Sequence, residues 1–328
     1  MRTASRSSRT VTLFAVVAAV LMGFLVATQS RLNGELGRQL GDGFTAALIS
    51  FGGGLVLLAV GMLASRRGRA GLREVAGAVR SGSMPWWYAG GGAAGAFLVL
   101  CQGLTAAALG VALFTVAIVC GQTIGAAVID RVGLGTLRAA RFTLPRVAGT
   151  LLAVAAVLYA VSARVQSDVP IWMLVLPFVA GVGTGWQQAV NGQVRGRANS
   201  ALTATFVNFV VGTSVLLVAT LVHAAIAQPT LRVGGSWWLY LGGPIGVVFI
   251  AGASVIVHRI GVLILGLATI SGQLVASVLL DLIVPVPGRE ILASTVVGTA
   301  LTLVATAVAA IPGRRRERTP PVAGAAAD

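Results

Sequence analysis

Ten long apolar runs follow one another along the chain, separated by short polar segments that carry most of the arginines. A run of roughly 20 apolar residues can cross the hydrocarbon core of a bilayer as an α-helix. We therefore predict an all-α membrane protein with about ten transmembrane helices. Their expected positions are 11–30, 44–64, 86–107, 109–129, 145–163, 171–190, 202–227, 237–257, 261–284 and 290–311.

The ten runs form two sets of five that repeat one sequence pattern. Gly121-Gln122, with Asp130 eight residues after the glutamine, recurs as Gly272-Gln273 with Asp281 at an offset of 151. Trp86-Trp87 recurs at the same offset as Trp237-Trp238. A constant register over this length indicates a tandem duplication.

The first span of each set repeats as well. Gln29-x3-Asn33-Gly34 recurs as Gln187-x3-Asn191-Gly192 at an offset of 158, because the loop at 65–85 is seven residues longer than its counterpart. We predict repeats at 11–164 and 165–311, with an N-terminal segment at 1–10 and a disordered tail at 312–328. The Arg-rich start and first apolar run also fit a cleaved signal peptide, but this run has a partner within the chain.

Composition agrees with a protein surrounded by lipid. Only 10% of the residues are charged and 56% are hydrophobic, against roughly 25% charged in soluble domains. The 43 glycines suit close contacts between membrane helices. Although the net charge is +15, the arginines lie between apolar runs and at the ends, so we expect no nucleic-acid partner. Two cysteines and two separated histidines predict neither a metal site nor a cofactor.

The arginines also predict the orientation in the membrane. With the N-terminus inside, the inner segments hold 19 arginines and the outer loops hold five, which favours cytoplasmic termini at a bacterial inner membrane. Because each repeat has an odd number of spans, the second repeat enters the membrane from the opposite side. Inverted repeats of this kind are typical of secondary transporters, whose binding sites lie at the repeat interface near the bilayer midplane.

The duplicated Gln-x3-Asn-Gly, Trp-Trp and Gly-Gln-x7-Asp motifs resemble the YdcZ family of bacterial inner-membrane proteins, a branch of the drug/metabolite transporter superfamily. The resemblance covers about residues 10–311 and implies a ten-helix bundle that exports small metabolites or drugs. Small multidrug transporters of that superfamily carry a glutamate in their first helix. Residues 11–30 hold no carboxylate, which argues against a simple exchange of protons for cations.

Several polar residues within the apolar runs are candidates for a substrate site. Gln122 and Gln273 are expected near mid-membrane, where each amide either bonds to a neighbouring helix or lines a cavity across the pseudo-two-fold axis. Gln29 and Gln187 either precede helix-ending Asn-Gly turns or face the same cavity. Trp186 either forms an aromatic wall beside Gln187 or anchors the helix at the interface.

Two carboxylates are candidates for gating or coupling. Asp130 and Asp281 are expected near opposite faces of the membrane because the repeats are inverted. Since Arg131 follows Asp130, a solvated position at the cytoplasmic rim is the favoured interpretation of Asp130, and a gate latch on that side is the alternative. For Asp281 we favour a gate latch, because an intramembrane carboxylate commonly has a functional role.

The sequence thus predicts a secondary transporter that moves a small solute by alternating access and is not an enzyme. Facing amides and few charges suit a neutral or weakly cationic polar substrate. A non-transporting scaffold or accessory subunit is the alternative, and it predicts a dry interior. A channel is disfavoured because neither a charged ring nor a carbonyl-rich filter sequence is visible.

Overall fold

The protein is almost entirely helical. The computed structural model describes residues 2–132, 144–162, 170–230, 232, 235–285 and 293–309, and no strand occurs within these ranges. The helices there are α1 (Arg2–Leu40), α2 (Gly43–Ala64), α3 (Arg66–Arg80), α4 (Gly91–Cys101), α5 (Ala107–Leu109), α6 (Val111–Val132), α7 (Leu144–Ser162), α8 (Trp172–Ala198), α9 (Ala201–Ala227), α10 (Gly242–Ile283) and α11 (Ala293–Ala309). Short 3-10 helices at Trp86–Gly90 and Trp237–Leu241 precede α4 and α10, and a π-helix at Gln102–Ala106 joins α4 to α5.

These helices coincide with the predicted apolar runs. Five stretches are long and apolar enough to cross a membrane, namely Leu13–Leu40, Gly43–Ala64, Trp86–Leu109, Ala201–Ala227 and Leu265–Ile283. Shorter apolar helices at Val111–Ala126, Val147–Ala160, Trp237–Ala253 and Ala293–Val308 cover four more runs, and α8 covers the remaining one. The prediction of an all-α membrane protein is confirmed; the predicted tail at 312–328 lies outside the described residues.

The two ends of helix α10 both pack along α1. A Cβ built on Gly252 would lie 2.7 Å from the sulfur of Met22, and one on Gly272 would lie 2.0 Å from the carbonyl oxygen of Val20. In a straight helix Gly252 and Gly272 would be about 30 Å apart, yet they contact neighbouring positions on α1. Residues 242–252 and 265–283 of α10 therefore pack against α1 as two antiparallel arms, as the spans at 237–257 and 261–284 predict.

Contacts between the two repeats are reciprocal. Gly272 of the second repeat packs on the backbone of Val20, and its counterpart Gly121 of the first packs on Phe178, the counterpart of Val20, with the same 2.0 Å approach of a built Cβ to the carbonyl oxygen. Such an exchange of partners is what a two-fold axis between similar units produces. The first span thus packs against the second repeat and the sixth against the first, so the repeats interleave.

Two local predictions are wrong. The Asn-Gly pairs at 33–34 and 191–192 do not end helices, since α1 continues to Leu40 and α8 to Ala198. Glycine within a helix allows a close neighbour, and Gly34 lies against the backbone of Ala107. The helices end instead at residues with positive φ, Gly41 (φ 73°) and Asn199 (φ 47°).

The arginine-rich segment predicted as a loop contains helix α3. Its buried residues are Gly68, Gly71, Val75 and Ala78, spaced three or four apart, so they form one stripe. This stripe packs against α8 and α9, where Val75 and Ala78 join Val194 and Ala204 in a buried cluster. Helix α3 begins two residues after α2 ends and therefore lies at the membrane boundary.

Candidate functional site

A stacked pair of phenylalanines lies where the two repeats meet. The rings of Phe51 on α2 and Phe209 on α9 have centroids 4.8 Å apart and planes inclined by 27°. The two residues are counterparts at an offset of 158, so their contact marks the pseudo-two-fold axis. Both side chains are buried, at 5% and 2% exposure. Polar clusters flank this pair on both sides.

The first amide cluster consists of Gln29, Ser30, Asn33 and Gln102. Asn33 Nδ2 donates to Gln102 Oε1 at 2.7 Å, and Gln102 Nε2 donates to Ser30 Oγ at 3.0 Å. Gln29 Nε2 donates to the backbone oxygen of Gly242 at 3.0 Å. Gln102 opens the π-helix, a deviation that is frequent at functional sites. All four side chains are buried.

The second amide cluster consists of Gln187, Asn191 and Asn208. Gln187 Nε2 and Asn191 Nδ2 both donate to Asn208 Oδ1, each at 3.0 Å. Gln187 and Asn191 are the counterparts of Gln29 and Asn33, so the duplicated motif forms one amide cluster in each half. Unlike the first cluster, this one is partly exposed at Gln187 and Asn191.

Each cluster borders the phenylalanine pair through a glycine. A Cβ built on Gly95 would lie 2.4 Å from Gln187 Nε2 and 3.4 Å from Phe51 Cζ. A Cβ built on its counterpart Gly246 would lie 2.7 Å from Gln29 Nε2 and 3.7 Å from the ring of Phe209. The polar groups therefore form one band across the repeat interface, with the aromatic pair between its two ends.

Several polar atoms in this band have no hydrogen-bond partner. The buried atoms without one include Asn33 Oδ1, Ser50 Oγ and Asn208 Nδ2. Outside the two clusters, Gln273 Nε2 on α10 also has none. Leaving such a group unpaired costs about 1–3 kcal/mol, and unpaired groups in native proteins commonly mark a site for water or a ligand. Both donors and acceptors are present, which suits a solute that both accepts and donates hydrogen bonds.

Gln122 and Gln273 occupy equivalent positions but are not bonded to each other within the described residues. The backbone of Gln122 packs against Gly181 on α8, and that of Gln273 packs against Gly23 on α1. Gln273 is 2% exposed, whereas Gln122 is partly exposed. Trp186 lies with its ring edge 3.5 Å from the position of a Cβ on Gly90, and it is also partly exposed. The substrate-binding role of these three residues stays a prediction.

Asp281 caps a helix of the opposite repeat. Its carboxylate accepts from the backbone N–H groups of Val111 at 2.9 Å and Ala112 at 2.8 Å, the first residues of α6. Gly110, with φ 81°, turns the chain just before these donors. Arg31 at the end of the first span approaches the same carboxylate at 3.9 Å. Asp281 thereby joins the ends of spans 1, 4 and 9.

Asp130 lies on α6 near its C-terminal end, and its side chain is outside the described part of the structure. The repeat pairs Asp130 with Asp281, and it pairs Gly261-Val262 with Gly110-Val111. The gating roles of both aspartates remain predictions.

Asp42 is a chemically similar cap, but the N–H groups that it caps belong to its own repeat. Its carboxylate accepts from the N–H groups of Phe44 at 3.2 Å and Thr45 at 2.9 Å at the start of α2. His223 on α9 lies 3.3 Å from the carboxylate and stacks on Phe44. Within the described ranges, no three His, Cys, Asp or Glu side chains lie close enough to hold a metal ion.

Sequence reasoning missed three members of the polar band, namely Gln102, Asn208 and Ser50. In the other repeat, Gln102 corresponds to Ala253 and Asn208 corresponds to Ser50. A search for identical residues at equivalent positions therefore misses all three. The signal that could have found the two amides was their position within otherwise apolar runs, where a polar residue is rare without a partner or a function.

The fold and the polar band define a class of protein: a multi-span helical membrane protein made of two interleaved, inverted repeats. Comparison with known families agrees with this class. Residues 14–159 and 172–308 match the family described as "Putative inner membrane exporter, YdcZ", and the chain belongs to that family. Two successive segments match the same family, which agrees with the duplication.

A solved structure described as "Crystal structure of protein" shares the fold. It is 19% identical in sequence and aligns with a TM-score of 0.54 over 92% of this chain and 96% of the other. No curated protein matches the chain.

Proposed function

We propose that the protein is a secondary transporter that exports a small solute across the inner membrane by alternating access. The observation that carries this proposal is the set of unpaired, buried polar atoms at the repeat interface. A scaffold has no need for such groups, because apolar side chains would fill the same space without a desolvation cost. Membership of an exporter family supports the direction of transport.

The amide band favours a neutral or weakly cationic, hydrogen-bonding substrate. Amide donors and acceptors come from both clusters, and no carboxylate or arginine belongs to either one. The amides are those of Gln29, Asn33, Gln102, Gln187, Asn191 and Asn208. The phenylalanine pair between the clusters would contact an apolar portion of the solute. Gln122, Gln273 and Trp186 extend this site in our proposal.

The structure corresponds, in this proposal, to a state closed on the outer side. With cytoplasmic termini, the cap at Asp281 and the buried first amide cluster face the periplasm. The second cluster, which is partly exposed at Gln187 and Asn191, faces the cytoplasm. Asp281 acts as the outer latch because it joins helix ends from both repeats.

In this proposal, the state that is open on the outer side and closed on the inner side forms when each repeat adopts the contacts that its counterpart makes in the present structure. Asp130 is the counterpart of Asp281, and residues 262–263 are the counterparts of the capped N–H donors at 111–112. We propose that Asp130 caps that turn when the inner side closes and that the Asp281 cap opens at the same time. Each aspartate would then latch one face.

Site-specific labelling in oriented vesicles tests the proposal. Gln187→Cys and Gln29→Cys are made separately in a chain whose Cys101 and Cys120 are replaced by alanine. A membrane-impermeant methanethiosulfonate should modify the Gln187→Cys protein from the cytoplasmic side and the Gln29→Cys protein only slowly from the outer side. Val116→Cys, at a position with 0% exposure, is the control that should not react from either side.

The scaffold alternative predicts a different result. A permanently dry interior would leave the Gln187→Cys protein as unreactive as the Val116→Cys control from both sides. Transport in proteoliposomes then tests the substrate class: exclusive movement of a dianion would contradict the amide site, while movement of a neutral polar solute would support it.

A further inference from the structure

A surface cavity lies at the boundary between α2 and α3, away from the amide band. It has a volume of about 620 Å³ and is lined by residues that include Ser65, Arg67, Arg195, Asn199, Ser200 and Leu202. It is open on its outer side. The cavity is formed by both repeats, since the first two of these residues belong to the α2–α3 corner and the others to the α8–α9 corner.

The arginines of this cavity are not neutralised. Arg67 donates to the backbone oxygen of Asn199 at 3.0 Å and to its side-chain Oδ1 at 3.1 Å, both uncharged acceptors. Within the described residues, no carboxylate lies within ion-pair distance of Arg67 or Arg195. The nearby acidic residue Glu74 pairs with Arg197 at 3.0 Å. An anion would therefore meet two uncompensated guanidinium groups.

Around the cavity the surface is strongly basic. Segments 62–82 and 190–202 carry seven arginines and one glutamate. Helix α3 turns its apolar stripe toward α8 and α9, while Arg66, Arg73 and Arg80 are exposed. Basic surfaces next to a membrane attract anionic lipids by about 1 kcal/mol for each Lys or Arg near the surface.

The helix that precedes the cavity in the sequence carries an exposed apolar stripe. Val56, Val60 and Leu63 on α2 are 64%, 61% and 76% exposed and share one helix face at spacings of four and three. The stripe ends two residues before Ser65, which lines the cavity. The cavity therefore follows directly after a helix long and apolar enough to span the membrane, at the depth where phospholipid headgroups lie.

We propose that this cavity, which we call the arginine pocket, binds the phosphate headgroup of an anionic phospholipid. Arg67 and Arg195 contact the phosphate, Asn199 holds Arg67 in place, and the acyl chains extend into the bilayer beside the helices. The bound lipid bridges the two repeats at this face of the protein. The site is independent of the solute site proposed above.

Lipid titration of the purified full-length protein tests the assignment. Thermal unfolding and native mass spectrometry are measured with phosphatidylglycerol, phosphatidylcholine and inorganic phosphate. Phosphatidylglycerol should raise the Tm, and the other two should not. Arg195→Gln should weaken apparent phosphatidylglycerol binding about fivefold, and Arg67→Gln combined with Arg195→Gln about thirtyfold, from the contribution of each basic residue.

Two controls separate the pocket from general surface charge. The double variant Arg73→Gln/Arg80→Gln removes the same charge from exposed positions outside the pocket and should lose clearly less phosphatidylglycerol binding than the Arg67→Gln/Arg195→Gln protein, since neither side chain lines the cavity. Arg67→Lys keeps the charge while losing the contacts to Asn199, and it covers the case in which the Arg67→Gln protein fails to fold.

Three results would overturn the proposal. An equal loss of binding in the Arg73→Gln/Arg80→Gln protein would mean that only diffuse charge attracts lipid. A Tm increase with inorganic phosphate that matches the one with phosphatidylglycerol would identify a soluble anion as the ligand. Unchanged phosphatidylglycerol binding in the Arg195→Gln protein would remove the pocket from lipid recognition.

Discussion

Replacing Asp281 by alanine separates a gate latch from an ordinary helix cap. The substitution removes both carboxylate oxygens from the N–H groups of Val111 and Ala112. Loss of a capping side chain costs about 0.5–2 kcal/mol, and hydrogen bonds to charged groups contribute about 1.5–3 kcal/mol. We take about 2 kcal/mol for the loss of this cap, whose side chain is 8% exposed.

If the cap forms only when the outer side is closed, its loss shifts the equilibrium toward the outward-open state. A shift of about 2 kcal/mol corresponds to roughly a thirtyfold change in the equilibrium constant. Labelling of the Gln29→Cys protein from the outer side should therefore accelerate by up to about thirtyfold in the Asp281→Ala background. The Asp281→Asn variant retains one oxygen acceptor, so its labelling rate should lie between that of the parent and that of the Asp281→Ala variant.

Asp42→Ala is the matched control. Asp42 is a similarly buried cap, with 3% of its side chain exposed, and the N–H groups that it caps at the start of α2 belong to its own repeat. Its carboxylate also lies 3.3 Å from His223 of the second repeat, so the control tests a contact between the repeats that does not cap a helix of the opposite repeat. Both alanine variants should lower the Tm by a similar amount, and only Asp281→Ala should accelerate labelling. Equal labelling rates in the two variants would show that Asp281 stabilises the fold without controlling access.

Three further sets of substitutions test the packing and the polar band. Gly272→Ala places a Cβ 2.0 Å from a backbone oxygen and should lower the stability of the protein by about 1–3 kcal/mol. In the control Gly52→Ala, the new Cβ meets nothing within 4 Å, so the Tm should be unchanged or higher. Similar Tm values for the two variants would contradict the close helix approach. Gln102→Leu leaves Asn33 Nδ2 without its acceptor, whereas Ser30 Oγ keeps its bond to the backbone oxygen of Val26. The Tm should therefore fall by the equivalent of about 1–3 kcal/mol together with the transport rate, and a fully active, stable variant would remove Gln102 from the site. Phe51→Ala and Phe209→Ala should each cost about 3–5 kcal/mol, with a coupling of about 0.5–1.5 kcal/mol in the double variant; strictly additive losses of stability would be inconsistent with stacking.

Apolar runs predicted the helices well because length and hydropathy are all that a membrane span requires. The same rule gave no signal for α3, whose stripe at Gly68, Gly71, Val75 and Ala78 contains two glycines and two small or medium side chains. That stripe is recognisable only by its spacing. The Asn-Gly pairs misled for a related reason: the local preference for a turn at 33–34 is overridden by tight packing against Ala107.

The polar band was predictable where the repeats agree and hidden where they differ. Gln29 and Gln187 were found because each is the counterpart of the other in the two repeats. In contrast, Gln102 corresponds to an alanine and Asn208 to a serine in the other repeat. The duplication determines which backbones meet, but it does not determine which side chains hydrogen bond. The Asp281 cap depends on the turn and the helix start of the other repeat, so the offset of 151 alone could not place its acceptor oxygens beside Val111.

Interleaving of the repeats has a consequence for biosynthesis. Gln29 donates to the backbone of Gly242, which is 213 residues later in the sequence, and Val111 donates to Asp281, which is 170 residues later. The earliest helices to enter the bilayer therefore remain without their closest neighbours until the last ones emerge from the ribosome. Until then, their glycine faces and amides are open to lipid, to other nascent chains and to quality-control proteases.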